Sequence, residues 1–513
     1  MSTSRPFAYN NGSPIVPIPG TIQVGSLAIG IPTAGFASTG LEWWNGPDED
    51  LGYVIARPVP ADTQPTPISG VTASVAFNRT SALTDESFIA LVNCYFNQSF
   101  TTVGECLSWL SDNGYWTSYA VGIFTTTWET TSPNQYITLP YLNTGTYSGT
   151  IDWGDGNTSA NSYGNQQHTY ASSGTYTVVI NGTCTGWNFQ IVADSKLKIK
   201  SVVHWGQLRF GNNQGGYFHQ CSNLDLSSVS DVLDLTGVSI LEGMFWDCLS
   251  LTTINNINSW NTSAITNMRY MFKGAFAFNQ PLSFNTAAVT DMQAMFIYCT
   301  SLNSSLTFNT SAVINMDAML GDCHVFNSTL TFTSTAAVTG MGSMFINCHV
   351  FNQPLSFNTA AVTDMAYMFG GAWAFNSSLT FTSTAAVTNM QSMFVDAFAF
   401  NQPIGTWNTA AVTNMSNMFT KTSSGNIQFN QNIGAWDVGN VTDFTDFMSA
   451  KTNANFSTTN LDAIYNGWIA SPKTVQSGIN ISFGSADYTA AGAVGKAYLT
   501  GTKSWTIQDG IEV

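Results

Sequence analysis

One nine-residue phrase recurs eight times between Ala264 and Met448. It reads AITNMRYMF at Ala264–Phe272, AVTDMQAMF at Ala288–Phe296, AVINMDAML at Ala312–Leu320 and AVTGMGSMF at Ala337–Phe345. It returns as AVTDMAYMF at Ala361–Phe369, AVTNMQSMF at Ala386–Phe394, AVTNMSNMF at Ala411–Phe419 and the degenerate NVTDFTDFM at Asn440–Met448. The steps from Met268 through Met292, Met316, Met341, Met365, Met390 and Met415 to Phe444 are 24, 24, 25, 24, 25, 25 and 29 residues. A fixed period in this range predicts a solenoid with one structural unit per repeat. Such a unit cannot bury its own apolar face, so units stack on their neighbours. The pattern favours an extended binding surface over an enclosed active site.

A single coil can be read from its spacing. Met268, Met271 and Phe272 have helical-turn spacing and fill the inner core. In FNQPLSF, Phe278, Leu282 and Phe284 are apolar anchors. Leu282 and Phe284 share one face of a strand, so Ser283 between them points outward. Thr307, Thr331, Ser356 and Thr380 occupy the same position in later copies. Coils about 4.8 Å apart would align these hydroxyls in one file. Nine coils from Leu241 to Phe444 would span roughly 40 Å at that spacing. Cys221, Cys248, Cys299, Cys323 and Cys348 share one phase, where other copies carry Ala275, Ala372 and Ala397. A position that accepts Cys or Ala is a small buried rung rather than half of a disulfide.

Only 9% of the 513 residues are charged, and the net charge is −16. An acidic chain this poor in Lys and Arg is a poor nucleic-acid binder. No apolar run approaches the roughly 20 residues of a membrane span. MSTSRPFAYNNGSP lacks a charged n-region followed by an apolar h-region, so the mature chain is expected to begin at or near Met1, without signal-peptide export.

The first 123 residues carry no repeat. β-formers and turns come first, as in GTIQVGSLAIGI. A helix is expected from Thr84, with Phe88, Ile89, Leu91 and Val92 near one face. A second has Thr102 and Glu105 in capping-box spacing and carries Leu107 and Leu110. The next region alternates in the manner of β-strands. IDWGDGNTS at Ile151–Ser159, followed by HTYASSGTYTVVI at His168–Ile180, resembles the PKD (polycystic kidney disease) domain. Gly154 and Gly156 permit a tight turn, Trp153 fills core and Tyr176 anchors a late strand. The phrase M-x-x-M-F-x-x-C/A-x-x-F-N-x-x-L-x-F-N-T-x-x-V-T resembles the methionine-rich subtype of BspA-like leucine-rich repeats. From Ala450 the period breaks, and FSTTNLDAIYNGW reads as a helix with Leu461, Ile464, Tyr465 and Trp468 on one face. This segment resembles the terminal cap of that family. The expected fold is mainly β with short helices. An N-terminal α+β domain would cover 1–123, a PKD-like β-sandwich 124–193, a leucine-rich-repeat-type solenoid 194–449 and a C-terminal cap 450–513.

The surface file Ser283, Thr307, Thr331, Ser356 and Thr380 is the first candidate for contact with glycans or protein loops. The bland alternative is that Ser and Thr are good strand residues which solubilise an exposed sheet. Gln280, Gln353, Gln402 and Trp373 flank the file in sequence. Cys323-His324 and Cys348-His349 have zinc-ligand chemistry, but adjacent residues on an extended chain point apart. Asp152 and Asp155 could offer carboxylates to calcium, although calcium takes six to eight oxygens. Their alternative role is turn formation. The run Pro47-Asp48-Glu49-Asp50 beside Trp43-Trp44 reads as a solvated loop. No GxSxG, HExxH or P-loop motif stands in its proper context, so neither an enzyme nor a cofactor is expected.

PKD and BspA-like modules are typical of surface adhesins, which are normally exported. The opening RPFAYNNGSPI, then IQVGSLAIGI, GLEWWNGPDEDLGYVIARPVP and NGYWTSY, resembles structural proteins of tailed phages. That resemblance implies a virion appendage. Residues 1–123 would dock on other virion proteins, the PKD-like module would space, and the solenoid would bind a host-surface glycan or protein. A homo-oligomer, trimeric as in many fibres, is compatible with this. The alternative is a bacterial surface adhesin exported by an unrecognised route.

Overall fold

The computed structural model describes residues 123–191, 195–211 and 214–513, with four short strands before them at Phe7–Ala8, Val16–Pro17, Thr21–Val24 and Leu27–Gly30. The helices expected near Thr84 and Thr102, and the acidic run at 47–50, lie outside the described residues. What is described is mainly β with a few short helices.

A five-stranded sheet opens the described chain. Its order is Ile199–His204, Ile123–Thr130, Gly174–Asn181, Thr150–Asp152, Thr158–Ala160. A three-stranded sheet of Leu208–Arg209, Cys184–Trp187 and Tyr141–Tyr147 supplies the other side of the core. Rings from both meet there: Phe124 is 4.8 Å from Trp187 edge-on, and Trp128 is 6.5 Å from it. The DWGDG turn needs its glycines. Gly154 has φ +77°, and a Cβ there would lie 2.4 Å from the Thr177 carbonyl oxygen. The strand Ile199–His204 lies beyond the boundary expected at 193, yet pairs with Ile123–Thr130. Its Ser201 also bridges Asp225, so one strand belongs to the sheet and begins the stack that follows.

Each repeat then lays one coil on the last. Parallel bridges run in unbroken order through Ile240, Asn267, Asp291, Asn315, Gly340, Asp364, Asn389, Asn414 and Asp443. From Asn267 to Asn414 these residues precede the first Met of each phrase, and Asp443 precedes the Phe444 that replaces it, so the continuous ladder runs there. The L-x-F segments pair only in places. Leu306–Phe308 pairs with Leu330–Phe332, and Leu355–Phe357 with Leu379–Phe381, but those two pairs are not joined to each other.

The M-x-x-M-F segment is not the helical turn that its spacing suggests. Tyr270, Ala294, Ala318, Ser343, Tyr367, Ser392 and Asn417, each just before the second Met, have φ between 51° and 57°. That left-handed residue turns alternate N–H groups out of the coil and toward the next. The N–H groups of Met268, Tyr270, Phe272 and Gly274 donate forward to the carbonyls of Asp291, Gln293, Met295 and Ile297 at 2.9–3.0 Å. Elsewhere on the coil the sense reverses. Thr290 N–H donates back to Thr266 O at 2.8 Å, and Thr363, Thr388 and Thr413 continue that column.

The core is built in columns. Phe345, Phe369 and Phe394 stack at 5.5 and 5.6 Å, while Phe351, Phe375 and Phe400 stack beside them at 5.8 and 5.9 Å. Leu320 interrupts the first column. Cys248, Cys299, Cys323 and Cys348 are buried free thiols, each donating to a carbonyl of the previous coil at 3.0–3.1 Å. The last coil is covered by the helix Thr458–Trp468, which buries Leu461, Ile464, Tyr465 and Trp468. Trp468 stacks on Phe444 at 5.4 Å and donates its indole N–H to Ile433 O at 3.1 Å.

A side-chain column reinforces the backbone. The Asn that follows each Phe (Leu302 in one coil) accepts the N–H of the next: Asn279 from Asn303, Asn303 from Asn327, Asn327 from Asn352, Asn352 from Asn376 and Asn376 from Asn401, all at 2.8–2.9 Å. Replacing Asn352 with Ala removes one acceptor. Denaturant unfolding should show a loss of about 1–2 kcal/mol, since Asn352 Oδ1 accepts from both Asn376 N–H and Ser377 Oγ. Asn352→Asp, which keeps the acceptor, should lose less.

Candidate functional site

Ser283, Thr307, Thr331, Ser356 and Thr380 are all exposed. Thr307 pairs with Thr331 and Ser356 with Thr380, so the file is two short runs rather than one. The glutamines expected beside it are occupied. Gln280 accepts from Ile254 N–H at 2.7 Å and donates to Ile254 O at 3.0 Å. Gln353 donates to Asn327 O and Gln402 to Asn376 O, at 2.9 and 2.6 Å. Their amides bind the previous coil, because the Asn column leaves a carbonyl within reach at each step.

Asp152 and Asp155 shape their own turn. Asp152 accepts from Gly154 N–H at 2.9 Å, and Asp155 from Asn157 N–H at 3.1 Å. His168 Nε2 lies 2.8 Å from Asp155 Oδ2. Partial burial opposes the ionised form of Asp155, but the His168 and Asn157 hydrogen bonds outweigh it and hold the carboxyl below its usual range. Among the described residues no group of three or more His, Cys, Asp or Glu is placed to hold a metal ion.

Trp373 belongs to a different column, one residue past the Cys/Ala rung. His324 and His349 stack there at 4.5 Å and 10°, and His349 stacks on Trp373 at 3.7 Å and 10°. Phe398 follows at 6.4 Å, and Phe276 occupies the same position near the other end. Val325, Val350, Phe276 and Trp373 are exposed by 43–45%. Cys323 and Cys348 are buried, and the turn that follows each leaves its histidine half-buried and the next valine exposed. Sequence reading noticed the Cys-His pairs but asked only about zinc. Aligning the residue after each rung would have revealed the column.

A loop stops this strip at its far end. The 29-residue step inserts Lys421–Gly425, and Gly425 lies against the Phe398 ring. Asp396 holds the loop, accepting from Thr422 N–H at 2.8 Å, Thr422 Oγ1 at 2.5 Å and Ser423 N–H at 3.2 Å. Burial, and then the neighbouring His324, hold the His349 imidazole below its ordinary range, against the pull of Asp322.

The described chain is thus a stack of short β coils carrying an open apolar strip. Residues 213–332, 282–381, 326–426 and 355–461 match the family described as Mycoplasma protein of unknown function, DUF285. The overlapping matches follow the repeats, and the similarity covers the stack from 213 to 461. No curated protein and no solved structure matches the chain.

Proposed function

We propose that this is a non-enzymatic attachment protein displayed on a biological surface, with a leucine-rich-repeat-type solenoid that holds a recognition face. The observation that carries this reading is the column of His324, His349 and Trp373, stacked across three coils beside the exposed Val325 and Val350. Contiguous apolar surface of this kind marks interaction sites. The PKD-like module would act as a spacer, and the helix-bearing end as a cap.

Two carriers suit that role. Residues 1–123 support a phage virion through their resemblance to tailed-phage structural proteins, with homo-oligomers, trimers included, as the displayed form. The repeat-family similarity supports a bacterial surface adhesin. Immunogold labelling separates them: gold on tailed particles favours the virion, and gold on intact cells favours the adhesin. Attachment is tested with the fluorescently labelled full chain. It should coat target cells saturably, and unlabelled chain should compete. Binding that never saturates, or none to any cell surface, would overturn the attachment reading.

A further inference from the structure

A stack of coils has two ends, and an uncovered end exposes an apolar layer and unpaired backbone groups. At the start of this stack the sandwich supplies what a preceding coil would supply. On the forward side Phe189 N–H donates to Tyr217 O at 3.1 Å. The first coil continues that sense: Gly216, Phe218 and Gln220 N–H donate to Glu242, Met244 and Trp246 O at 2.7–2.9 Å. On the backward side Asp225 N–H donates to Lys200 O at 2.8 Å and Ser230 N–H to Val203 O at 3.1 Å. One coil on, Asn255 N–H donates to Leu226 O in the same sense. At a corner Asn223 Nδ2 donates to Leu197 O at 2.7 Å. Phe189, Leu197, Lys200 and Val203 therefore stand where a coil before the first would stand.

The joint is buried as well as bonded. Phe189 and Trp187 lie 6.0 and 6.4 Å from Phe218, where the ring column through Phe245 and Phe272 begins. Trp205 is 5.7 Å from Phe218 on another side. Asn188, fully buried, donates its Nδ2 to Gly215 O at 2.8 Å. Asp231 reaches back from the stack and accepts Trp205 N–H and Gly206 N–H at 2.7 and 2.8 Å. The buried apolar residues from Phe124 to Trp505 form one contiguous core. The dependence runs both ways. Ile199–His204 is an edge strand of the five-stranded sheet and Leu208–Arg209 an edge strand of the three-stranded one, so each sheet is completed by residues beyond 193.

We propose that the sandwich is the N-terminal cap of the stack and the template on which its first coil folds, joined to it without a hinge. Neighbouring domains move freely where little apolar surface joins them. Here a shared strand, a ring column and side-chain bonds on both sides would have to break before the two could turn. A spacer sets distance alone; this joint also fixes the direction in which the faces of the stack point.

The test is hydrogen exchange of the full chain followed by mass spectrometry, with Ile151→Ala as the perturbation. Ile151 is fully buried in Thr150–Asp152, which two strands separate from Ile199–His204. Exchange follows the opening equilibrium of each cooperative unit. The variant should speed exchange in the sandwich strand Gly174–Asn181 roughly 30-fold, which is about 2 kcal/mol at 1.4 kcal/mol per tenfold. With the sandwich as cap, Tyr217–Leu224 should accelerate by about the same factor, while Met390–Phe419, far along the stack, keeps wild-type rates. Wild-type rates at Tyr217–Leu224 in a variant whose sandwich accelerates overturn the cap. Equal acceleration at Met390–Phe419 overturns it too, because that marks one all-or-none unit rather than a capped end. Val178→Ala, a smaller deletion at a buried site in Gly174–Asn181, carries the same comparison where Ile151→Ala does not fold.

Discussion

Phe369→Ala should destabilise the stack by about 3–5 kcal/mol, the usual cost of deleting a buried phenylalanine ring. Phe369 is fully buried and touches three rings, Phe345 at 5.5 Å, Phe394 at 5.6 Å and Phe375 at 4.3 Å. Its loss opens a gap in its own column and strips Phe375 of a ring neighbour in the column beside it. The neighbouring coils cannot close that gap, because forward and backward hydrogen bonds fix their spacing. Stability in a stacked repeat protein is approximately a sum of unit and nearest-neighbour terms. The damaged interface should therefore uncouple the coils on its two sides. Denaturant unfolding followed by tryptophan fluorescence should change from one transition to two. A single transition shifted by less than about 1 kcal/mol, no more than an exposed-surface change would give, would refute the column as the stabilising element.

The second large effect centres on Lys451. This lysine is buried, and its Nζ donates to Ile427 O at 2.9 Å and Phe429 O at 2.6 Å. It ties the inserted 29-residue step to the start of the covering segment. Burial pushes its pKa down to about 7. The unfolded chain, with an ordinary lysine near pKa 10.4, binds more protons throughout the interval between those values. Stability from this residue must therefore rise with pH there, by about 2 kcal/mol between pH 7 and pH 9. The buried thiols of Cys248, Cys299 and Cys348 act in the opposite direction, because the unfolded chain ionises them first. The measurement is the difference between wild type and Lys451→Met at each pH. The variant should lack the rise. At pH 9 it should be the less stable protein, since two carbonyls lose their donor at about 1–3 kcal/mol each. A wild-type-minus-variant difference that stays flat from pH 7 to pH 9 would refute a buried neutral amine.

Much of the fold was legible because the repeat period and the Cys/Ala alternation depend on local spacing and side-chain volume. Met268, Phe272 and Cys299 are buried, as their residue types require, and Ser283 faces out because it lies between two inward anchors. The path of the continuous ladder was not legible. Nothing in the residue types of Asn267, Asp291 or Gly340 marks them as bridge positions, because the pairing is carried by the backbone. The left-handed residues were hidden for a related reason. Ala318 and Tyr367 have no intrinsic preference for φ above zero, and take it because the next coil holds their N–H groups. Gln280 and Gln353 looked free because their partners lie about 26 residues back in sequence. The strip shows the same limit. His324, His349 and Trp373 are unrelated in the linear sequence and become one surface only when 25- and 24-residue steps place them in register.

The opposed hydrogen-bond columns bear on how long such a stack can grow. Aligned amide dipoles sum along an axis and leave partial charges at its ends. In this chain the forward column through the methionine segment is offset by the backward columns through threonine and asparagine. Each coil adds dipoles of both senses, so the axial moment need not build up with repeat number. Duplicating a repeat then lengthens the scaffold without strengthening a charge at either end. Gain or loss of whole coils becomes a route by which the length of the presented surface can diverge while its ends stay unchanged.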